Sequence, residues 1–403
     1  MVESLTFLTQ HYFPEPAATG QLLTDLAEQL VSQGFRVTVW TRKPRYAVRE
    51  GTTARECRHG VEIHRLASFH IHRQCIAYRL TGEVLFSLSV ALRMLCTART
   101  HFLIVSNPPF LMWIGWLGSV VRRHTYTLLI HDIYPDIAIQ LGFLKPHGWI
   151  AWLWRMLNRL AYKRAQSVVG LGQRMGQALS KQRGFDEAKL KIIHNWANDS
   201  RIRPMRRAEN PFAKRLGIRD ELVVLYSGNL GRFHDLETIL EAAKQLESRS
   251  DIVFLFIGDG AKKEKLVAKA SSWDLANVRF LPYQPAELLP YTITTGDIGV
   301  VTLEEGTEGL CVPSKLYTYM AGGLAILGVV GGSSEVADTI RQFECGVQVR
   351  QGDVFRTVES IKTWADRPDL LAQHKHNSYL HLRAVFSRQS AIDKYAALFR
   401  VPR

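Results

Sequence analysis

Apolar residues in this chain come as short continuous runs, each followed by a longer segment in which they recur every three or four positions. Residues 5–9 form the first run, residues 11–20 a Pro/Gly-punctuated loop, and Leu22, Leu23, Leu26, Ala27, Leu30 and Val31 one face of a helix that Gly34 ends. Residues 36–40 follow as a strand, so the opening reads strand, loop, helix, parallel strand. Further strands are predicted at 102–106, 126–130 and 167–171, with helices near 83–98 and 148–165. Together they make an open α/β sheet. After a polar connector from Asn195 through Pro204 and Pro211, the pattern restarts. A strand at Leu222–Ser227 leads to a helix bearing Leu236, Ile239, Leu240, Ala243 and Leu246, and strands at Ile252–Ile257, Val278–Leu281, Ile298–Thr302 and 325–330 alternate with helices. That predicts a second doubly wound domain, and two such sheets would confront each other's carboxyl ends across a cleft.

Composition adds a compartment and a charge asymmetry. With 403 residues and 46% hydrophobic content the chain can fill two cores. Cys57, Cys75, Cys96, Cys311 and Cys345 have no metal-ligand or C-x-x-C spacing and read as reduced thiols of a cytosolic protein. The opening Met1-Val2-Glu3-Ser4-Leu5 lacks a signal-peptide pattern and looks like the approach to a strand. The longest apolar stretch, Phe110–Val121, is too short to cross a bilayer, which takes roughly 18 to 20 residues. Between His64 and Phe185 lie fifteen Lys/Arg and three carboxylates, a stretch that supplies most of the formal +14. Such a surface suits nucleic acid, an anionic membrane or phosphate-bearing substrates, and no nucleic-acid motif accompanies it.

Five segments carry candidate chemistry, all at predicted strand or helix ends. Tyr226-Ser227-Gly228-Asn229-Leu230-Gly231-Arg232 runs from a strand into two glycines, whose backbone N–H groups can approach a diphosphate; a plain tight turn is the alternative. Gly258-Asp259-Gly260 with Lys262 and Lys263 repeats the arrangement, and Asp-Gly is also a common turn pair. In Pro313-Ser314-Lys315, Ser314 suits a helix N-cap and Lys315 falls in the first turn, where a cation is disfavoured unless an anion shares the site. Glu335, after Gly331-Gly332-Ser333-Ser334, can accept sugar or ribose hydroxyls or simply complement a helix dipole. His131-Asp132-Ile133-Tyr134-Pro135-Asp136 follows a strand and holds two of the three acids of the basic stretch, with His131 able to move a proton near neutrality. No metal-ligand cluster, Walker loop or G-x-G-x-x-G opens any helix, so neither a metal nor a dinucleotide cofactor is expected.

In order, these segments resemble the retaining glycosyltransferases of family 4, over essentially the whole chain. The loop from Gln10 to Gly20, Gly34 to Val39, Tyr226 to Gly231 and Ile257 to Gly260 match the family's stations. Ser106-Asn107-Pro108-Pro109, His131 to Asp136, Asn195-Trp196 and Val312 to Tyr317 resemble a subgroup of colanic-acid and fucosamine-type transferases. The resemblance implies a GT-B fold, two doubly wound Rossmann-like α/β domains facing a central cleft, and a metal-independent hexosyltransferase without a cofactor. On it, residues 1–197 would meet the acceptor and membrane, 198–385 the nucleoside-diphosphate sugar, and 386–403 would form a helix packing back on the first domain. It further implies that Gly228, Asn229, Gly231, Arg232, Ser314 and Lys315 hold the diphosphate, with Gly20 beside it. Glu335, Gly258 and Gly260 would lie near sugar or nucleoside, and His131 and Asp132 would face the transferred sugar. Two departures stand out: Asn229 and His234 fall where many members carry a basic pair, and Thr318 where the second of two glutamates eight residues apart would be, the first falling near Glu308 or Leu310.

The segment 145–164 holds three tryptophans and five bases without an acid. As a helix it would put Arg155 and Arg159 on one face and Trp149, Ile150 and Trp152 nearer the other, suited to an anionic bilayer through Trp149, Trp152, Arg155, Arg159, Lys163 and Arg164. The alternative packs Leu153, Leu157 and Leu160 into the core and leaves the bases solvated. The expected protein moves a sugar from a nucleotide to a lipid-linked or growing saccharide, with retention, in surface polysaccharide synthesis on the cytoplasmic face of the inner membrane. The rivals are a GT-B epimerase or phosphorylase, and a noncatalytic partner of a polysaccharide assembly complex.

Overall fold

The computed structural model describes residues 4–15, 17–43, 53–66, 76–199 and 201–400, and for residues 76–80 only the backbone. Met1 to Glu3 of the strand approach, Pro16 of the first loop, Cys75, Ser200 of the connector and residues 401–403 lie outside the described residues. The chain divides into two compact units, one of Met1–His194 with Ala391–Arg403 and the other of Asn195–Ser390.

Unit 1 carries, in order, β1 (Ser4–Leu8), α1 (Ala18–Ser32), β2 (Arg36–Arg42), β3 (Arg55–Arg58), β4 (Val61–Leu66), α2 (Ile76–Cys96), β5 (His101–Val105), α3 (Phe110–Val121), β6 (Thr125–Ile130), α4 (Asp136–Gln140), α5 (Trp149–Arg164), β7 (Ser167–Gly170), α6 (Gln173–Ser180) and β8 (Leu190–Ile192). The sheet order is β3-β4-β2-β1-β5-β6-β7-β8, parallel except for the β3–β4 pair. Every residue of β5 is buried, as helices on both faces require of a parallel strand. The chain reverses its direction of travel across the sheet between β1 and β5, which pair from Leu5–His101 to Leu8–Ile104. The crevice beyond such a switch point is where open α/β sheets hold ligands.

Unit 2 begins with α7 (Pro211–Arg215), capped by the Asn210 side chain, and continues β9 (Leu222–Ser227), α8 (Glu237–Gln245), β10 (Ile252–Ile257), α9 (Lys263–Ser272), β11 (Val278–Leu281), α10 (Leu289–Thr294), β12 (Ile298–Thr302), α11 (Lys315–Gly322), β13 (Ala325–Val329), α12 (Glu335–Phe343), β14 (Gly346–Val349), α13 (Val354–Asp366) and α14 (Pro368–Val385). Its sheet is parallel throughout, in the order β11-β10-β9-β12-β13-β14, with the switch between β9 and β12. Those two strands pair only at Val224–Ile298 and Leu225–Gly299, so their carboxyl halves separate. Tyr319 of α11 fills the gap. Its hydroxyl accepts the Ser227 N–H at 2.8 Å, and its ring covers Gly299, where a Cβ would come within 2.6 Å of it. The last helix, α15 (Arg388–Phe399), joins unit 1, with Phe399 edge-on to Phe35 and His101.

The predicted strands and helices are present within a residue or two at most ends, except that the 83–98 helix begins earlier, at Ile76. The sequence pattern missed β3, β4, β8 and β14. Each is only three to six residues long, and β3 alternates intermediate and exposed positions without an apolar run.

Candidate active site

The glycine turns of unit 2 fit into one another through backbone alone. Gly228 donates its N–H to Ile257 O at 2.8 Å, Leu230 to Asp259 O at 2.9 Å, and Lys262 to Leu230 O at 2.9 Å. Gly258, at φ +145°, has the Gly228 carbonyl where a side chain would start, 1.9 Å from an added Cβ, so no other residue fits. Gly260 is similarly closed by Leu230 and Asn229. The turns after β9 and β10 are therefore one rigid surface beside the switch point.

Lys315 lies across it. Because Tyr319 anchors α11 between β9 and β12, Lys315, one turn earlier, extends over Gly228, with Cε 2.6 Å from the position a Cβ would take. Its Nζ lies 4.9 Å from the Tyr226 ring centroid and 3.5 Å from His234 Nε2, and no carboxylate pairs with it among the described residues. Burial pulls its ammonium down to about 8 from an ordinary 10.5. An unneutralised cation at a helix N-terminus is unfavourable on two counts, and a bound anion relieves both. Arg232 is exposed on the same turn, while Asn229 sits under Gly231 with its amide 2.6 Å from an added Cβ there.

Several expectations need correction here. Ser314 occupies the cap position of α11 with a helical backbone, and its hydroxyl does not cap, so it accepts no helix N–H. Lys262 is not a free charge, since it binds Glu304 Oε1 at 2.6 Å and Glu237 Oε2 at 2.9 Å and donates to the His234 carbonyl at 2.7 Å. Glu308 lies outside α11, where its carboxylate accepts the Gly331 N–H at 3.0 Å and the Gln351 amide at 2.9 Å. Glu335 is the first residue of α12, nearly buried, and its charge helps raise the Tyr317 phenol after burial itself. A separate concavity lined by Arg203, Pro204, Gly323, Lys375, His376 and Tyr379 lies at the opposite end of α11.

In unit 1 the loops after β1, β5 and β6 converge. The Gln10 amide bonds the Asn107 side chain, and the Ser106 hydroxyl accepts the His131 N–H at 2.9 Å and the Asp132 N–H at 3.3 Å. Gly20, in the first turn of α1, lets the helix approach the 11–15 loop, with Glu15 O, His11 C and Tyr12 N within 3.4 Å of an added Cβ. His131 Nε2 is buried without a hydrogen-bond partner among the described residues. Burial, then the nearby His11, lowers its imidazole to about 4, so it is neutral at pH 7. Burial raises the Asp132 carboxyl to about 6, and no cation pairs with it among the described residues. Asp136 is different: Arg155 at 2.8 Å and Gln182 at 2.9 Å hold it, which makes it a structural tie rather than a site for chemistry. Gln10, His11 and Glu15 were not singled out in the sequence; their signal was a polar loop directly after a strand bordering the switch point.

The faces of α5 also differ from expectation. Ala151, Asn158, Ala161 and Tyr162 are buried, Leu153, Leu157 and Leu160 only partly, and Trp154 stacks on Tyr134 at 5.7 Å. Trp149, Trp152, Met156, Arg159 and Lys163 share the exposed face, so aromatic and basic residues are interleaved rather than opposed. A step of three or four residues between them keeps all five on one side of the helix. Arg155 is held by Asp136 and the Pro146 carbonyl, and Arg164 by Ser119, so neither cation is freely available. Alongside, α2 exposes Val84, Leu85, Leu88 and Leu92, and α3 exposes Leu117, Val120 and Val121 next to Arg122 and Arg123. No helix among the described residues is long and apolar enough to cross a membrane, and no cluster of three or more His, Cys, Asp or Glu is positioned to hold a metal ion.

Comparison with known proteins agrees with this architecture. Residues 18–196 match the "Glycosyl transferase 4-like domain" family and residues 209–381 the "Glycosyl transferases group 1" family. The chain is 32% identical over 303 residues to the probable glycosyltransferase WbjE of Pseudomonas aeruginosa, covering 73% of each protein. It is 25% identical over 332 residues to the putative colanic acid biosynthesis glycosyl transferase WcaI of Escherichia coli K12, covering 79% of this chain and 81% of that one. The Anabaena protein Alr3699/HepE, solved with UDP-glucose, superposes with a TM-score of 0.74 at 14% identity over 98% of both chains, a likeness of fold that puts both units in the GT-B class.

Proposed function

Since the chain belongs to the glycosyltransferases, we propose that it moves a sugar, with retention of configuration, from a nucleoside-diphosphate donor bound by unit 2 to a lipid-linked or growing saccharide acceptor met by unit 1. The observation that carries this reading is the Lys315 ammonium, part-buried over Gly228 with no counter-ion among the described residues. A diphosphate supplies the missing charge. The N–H groups of Asn229 and Gly231, which unlike those of Gly228 and Leu230 are not donated to the neighbouring turn, and the N-terminus of α11 would solvate its oxygens, and Arg232 would add an exposed cation. WcaI is named for colanic acid biosynthesis and HepE was solved with UDP-glucose, which supports surface polysaccharide and a nucleotide sugar as the setting.

Catalysis in this reading is mainly electrostatic. As the anomeric carbon–oxygen bond to the diphosphate breaks, negative charge grows on the leaving oxygen beside Lys315 and the turn N–H groups, and each interaction strengthens. The acceptor oxygen bonds to the same carbon from the face being vacated, and its proton passes to the departing phosphate oxygen. His131, neutral and with Nε2 unpartnered, would accept a hydrogen bond at that nitrogen or, in the other tautomer, donate one to the transferred sugar. Asp132 would orient an acceptor hydroxyl. Ligand protection tests the reading: UDP, GDP, ADP and TDP, and their sugars, are added and melting is followed. At about 100 Kd the correct nucleotide adds about 2.7 kcal/mol, and no response to any of them would reject a donor site.

A membrane role for unit 1 is the second part of the proposal. The interleaved Trp and Lys/Arg of α5 and the apolar outer faces of α2 and α3 suit an anionic bilayer from which a lipid-linked acceptor is drawn. Flotation with phosphatidylglycerol vesicles, lost at high salt and weakened in a Trp149→Ala, Trp152→Ala double variant, supports it; equal flotation with neutral vesicles would oppose it.

A further inference from the structure

Granted a diphosphate site on unit 2, we propose that His234 is a positioning residue, whose Nε2 lone pair holds the Lys315 ammonium over Gly228 ready for the ligand. The tautomer follows from geometry. His234 Nδ1 lies 2.9 Å from the Thr302 carbonyl, which can only accept, so Nδ1 carries the proton and Nε2 is the acceptor facing Nζ at 3.5 Å. The ring stays neutral, because burial and then the Lys315 charge drive it down to about 3.

The groups around it explain why a neutral acceptor serves. From β9 comes the Tyr226 ring, from α11 the Tyr319 hydroxyl bonded to Ser227, and from α8, the end of β12 and the start of α9 come Glu237, Glu304 and Lys262. Lys262 engages both carboxylates and also binds the His234 carbonyl, so it keeps those acids from capturing Lys315 while fixing the backbone that presents the imidazole. A carboxylate at position 234 would clamp the ammonium and compete with a diphosphate; a second cation would repel it. The imidazole, at the outer limit of hydrogen-bond distance, orients one N–H and leaves two for phosphate oxygens.

The test compares His234→Phe and His234→Leu, which lack an acceptor, with His234→Gln, which keeps one, and with Lys315→Met. Calorimetry gives Kd for whichever of UDP, GDP, ADP or TDP the wild type binds, and for its parent nucleoside, from pH 6.5 to 9.5. The acceptor-free variants should weaken the diphosphate by about three- to tenfold at pH 7, the size of a long charge-assisted hydrogen bond, with the nucleoside unchanged and most of the loss restored in His234→Gln. Their diphosphate affinity should also begin to fall at lower pH than in wild type, since the ammonium has lost an acceptor. Three results would overturn the proposal: wild-type affinity in Phe and Leu variants, equal loss of nucleoside and diphosphate, or a Gln variant no better than Phe. If Lys315→Met also retains full affinity, the donor site itself is refuted; if only Lys315→Met loses it, the role of His234 alone falls.

Discussion

Replacing Lys315 by Met should stabilise the ligand-free protein and end its response to nucleoside diphosphates. The side chain keeps its length and apolar stem, so Gly228 and Tyr226 stay covered, and only the charge is removed. Lowering a lysine from 10.5 to about 8 corresponds to a cost of about 3 kcal/mol for holding it charged. The contact with the Tyr226 ring returns about 1 kcal/mol, so the variant should gain about 2 kcal/mol near neutrality. The sign has a pH signature. With the folded pKa below the unfolded one, the cost is complete below pH 8, where both states are protonated, shrinks between about 8 and 10.5, and is gone above. Denaturant midpoints followed at pH 6.5 and pH 10.5 should therefore favour Lys315→Met at the first and coincide at the second. Saturating diphosphate should reverse the order, raising wild type by about 2.7 kcal/mol at about 100 Kd and leaving the variant unmoved. A variant less stable than wild type without ligand, or equally protected with it, would refute the claim that Lys315 is an uncompensated cation awaiting an anion.

Asp132→Asn should stabilise the protein above pH 6, by about 2 to 3 kcal/mol, and have no effect below pH 4, because the cost of the carboxyl sets in as its unfolded form ionises and is complete once the folded form, raised to about 6, does so; thermal melts across pH 4–8 check this. Gly258→Ala should unfold or misfold unit 2, since its Cβ would lie 1.9 Å from the Gly228 carbonyl oxygen at φ +145°, whereas Gly332→Ala, with open space around it, should change stability by less than about 0.5 kcal/mol in the same melts. Glu308→Ala should cost about 1 to 3 kcal/mol by freeing the Gly331 N–H and the Gln351 amide, read as a lowered denaturant midpoint.

Much of the fold was legible because parallel strands buried on both faces are written as unbroken apolar runs, as in Ile252–Ile257, where every residue is buried. The edge strands β3 and β14 lack that signature and were missed. The glycine turns of unit 2 were legible for a similar reason: glycine is the one residue that fits where two backbones touch, and Gly258 and Gly260 stand at such contacts, while at Gly228 the Lys315 side chain takes the space. Polar side chains were harder to read. Nothing in spacing distinguishes Lys262, neutralised by Glu237 and Glu304, from Lys315, left without a counter-ion, because the difference arises from acids 25 and 42 residues away. The same holds for Asp132 and Asp136, four positions apart, of which Arg155 and Gln182 engage only the second. On α5 the misreading was of helical phase: Trp149 and Trp152 were set on a different face from Arg159, although a step of about 100° per residue brings the three within one quadrant.

These contrasts separate charges that maintain the fold from charges held at a cost to it. Lys262, Glu308 and Asp136 each bind two or more partners, so removing any one leaves two or more hydrogen-bonding groups without their partner. Lys315 and Asp132 are held at a cost: burial opposes the charge of both, and no oppositely charged side chain among the described residues offsets it. Both stand at the carboxyl ends of strands in their own unit, Lys315 where β9 and β12 separate and Asp132 beyond β6. Such costs persist in a folded chain when the bound state recovers them. On the proposed function their signs match what would be bound: a cation without a partner suits an anionic group, and an acid raised to about 6 suits a hydroxyl whose hydrogen it can accept. A sugar diphosphate and a saccharide acceptor together present those two groups, which is why the stability gain expected from neutralising either residue and the loss of transfer expected from the same substitution are two readings of one energy.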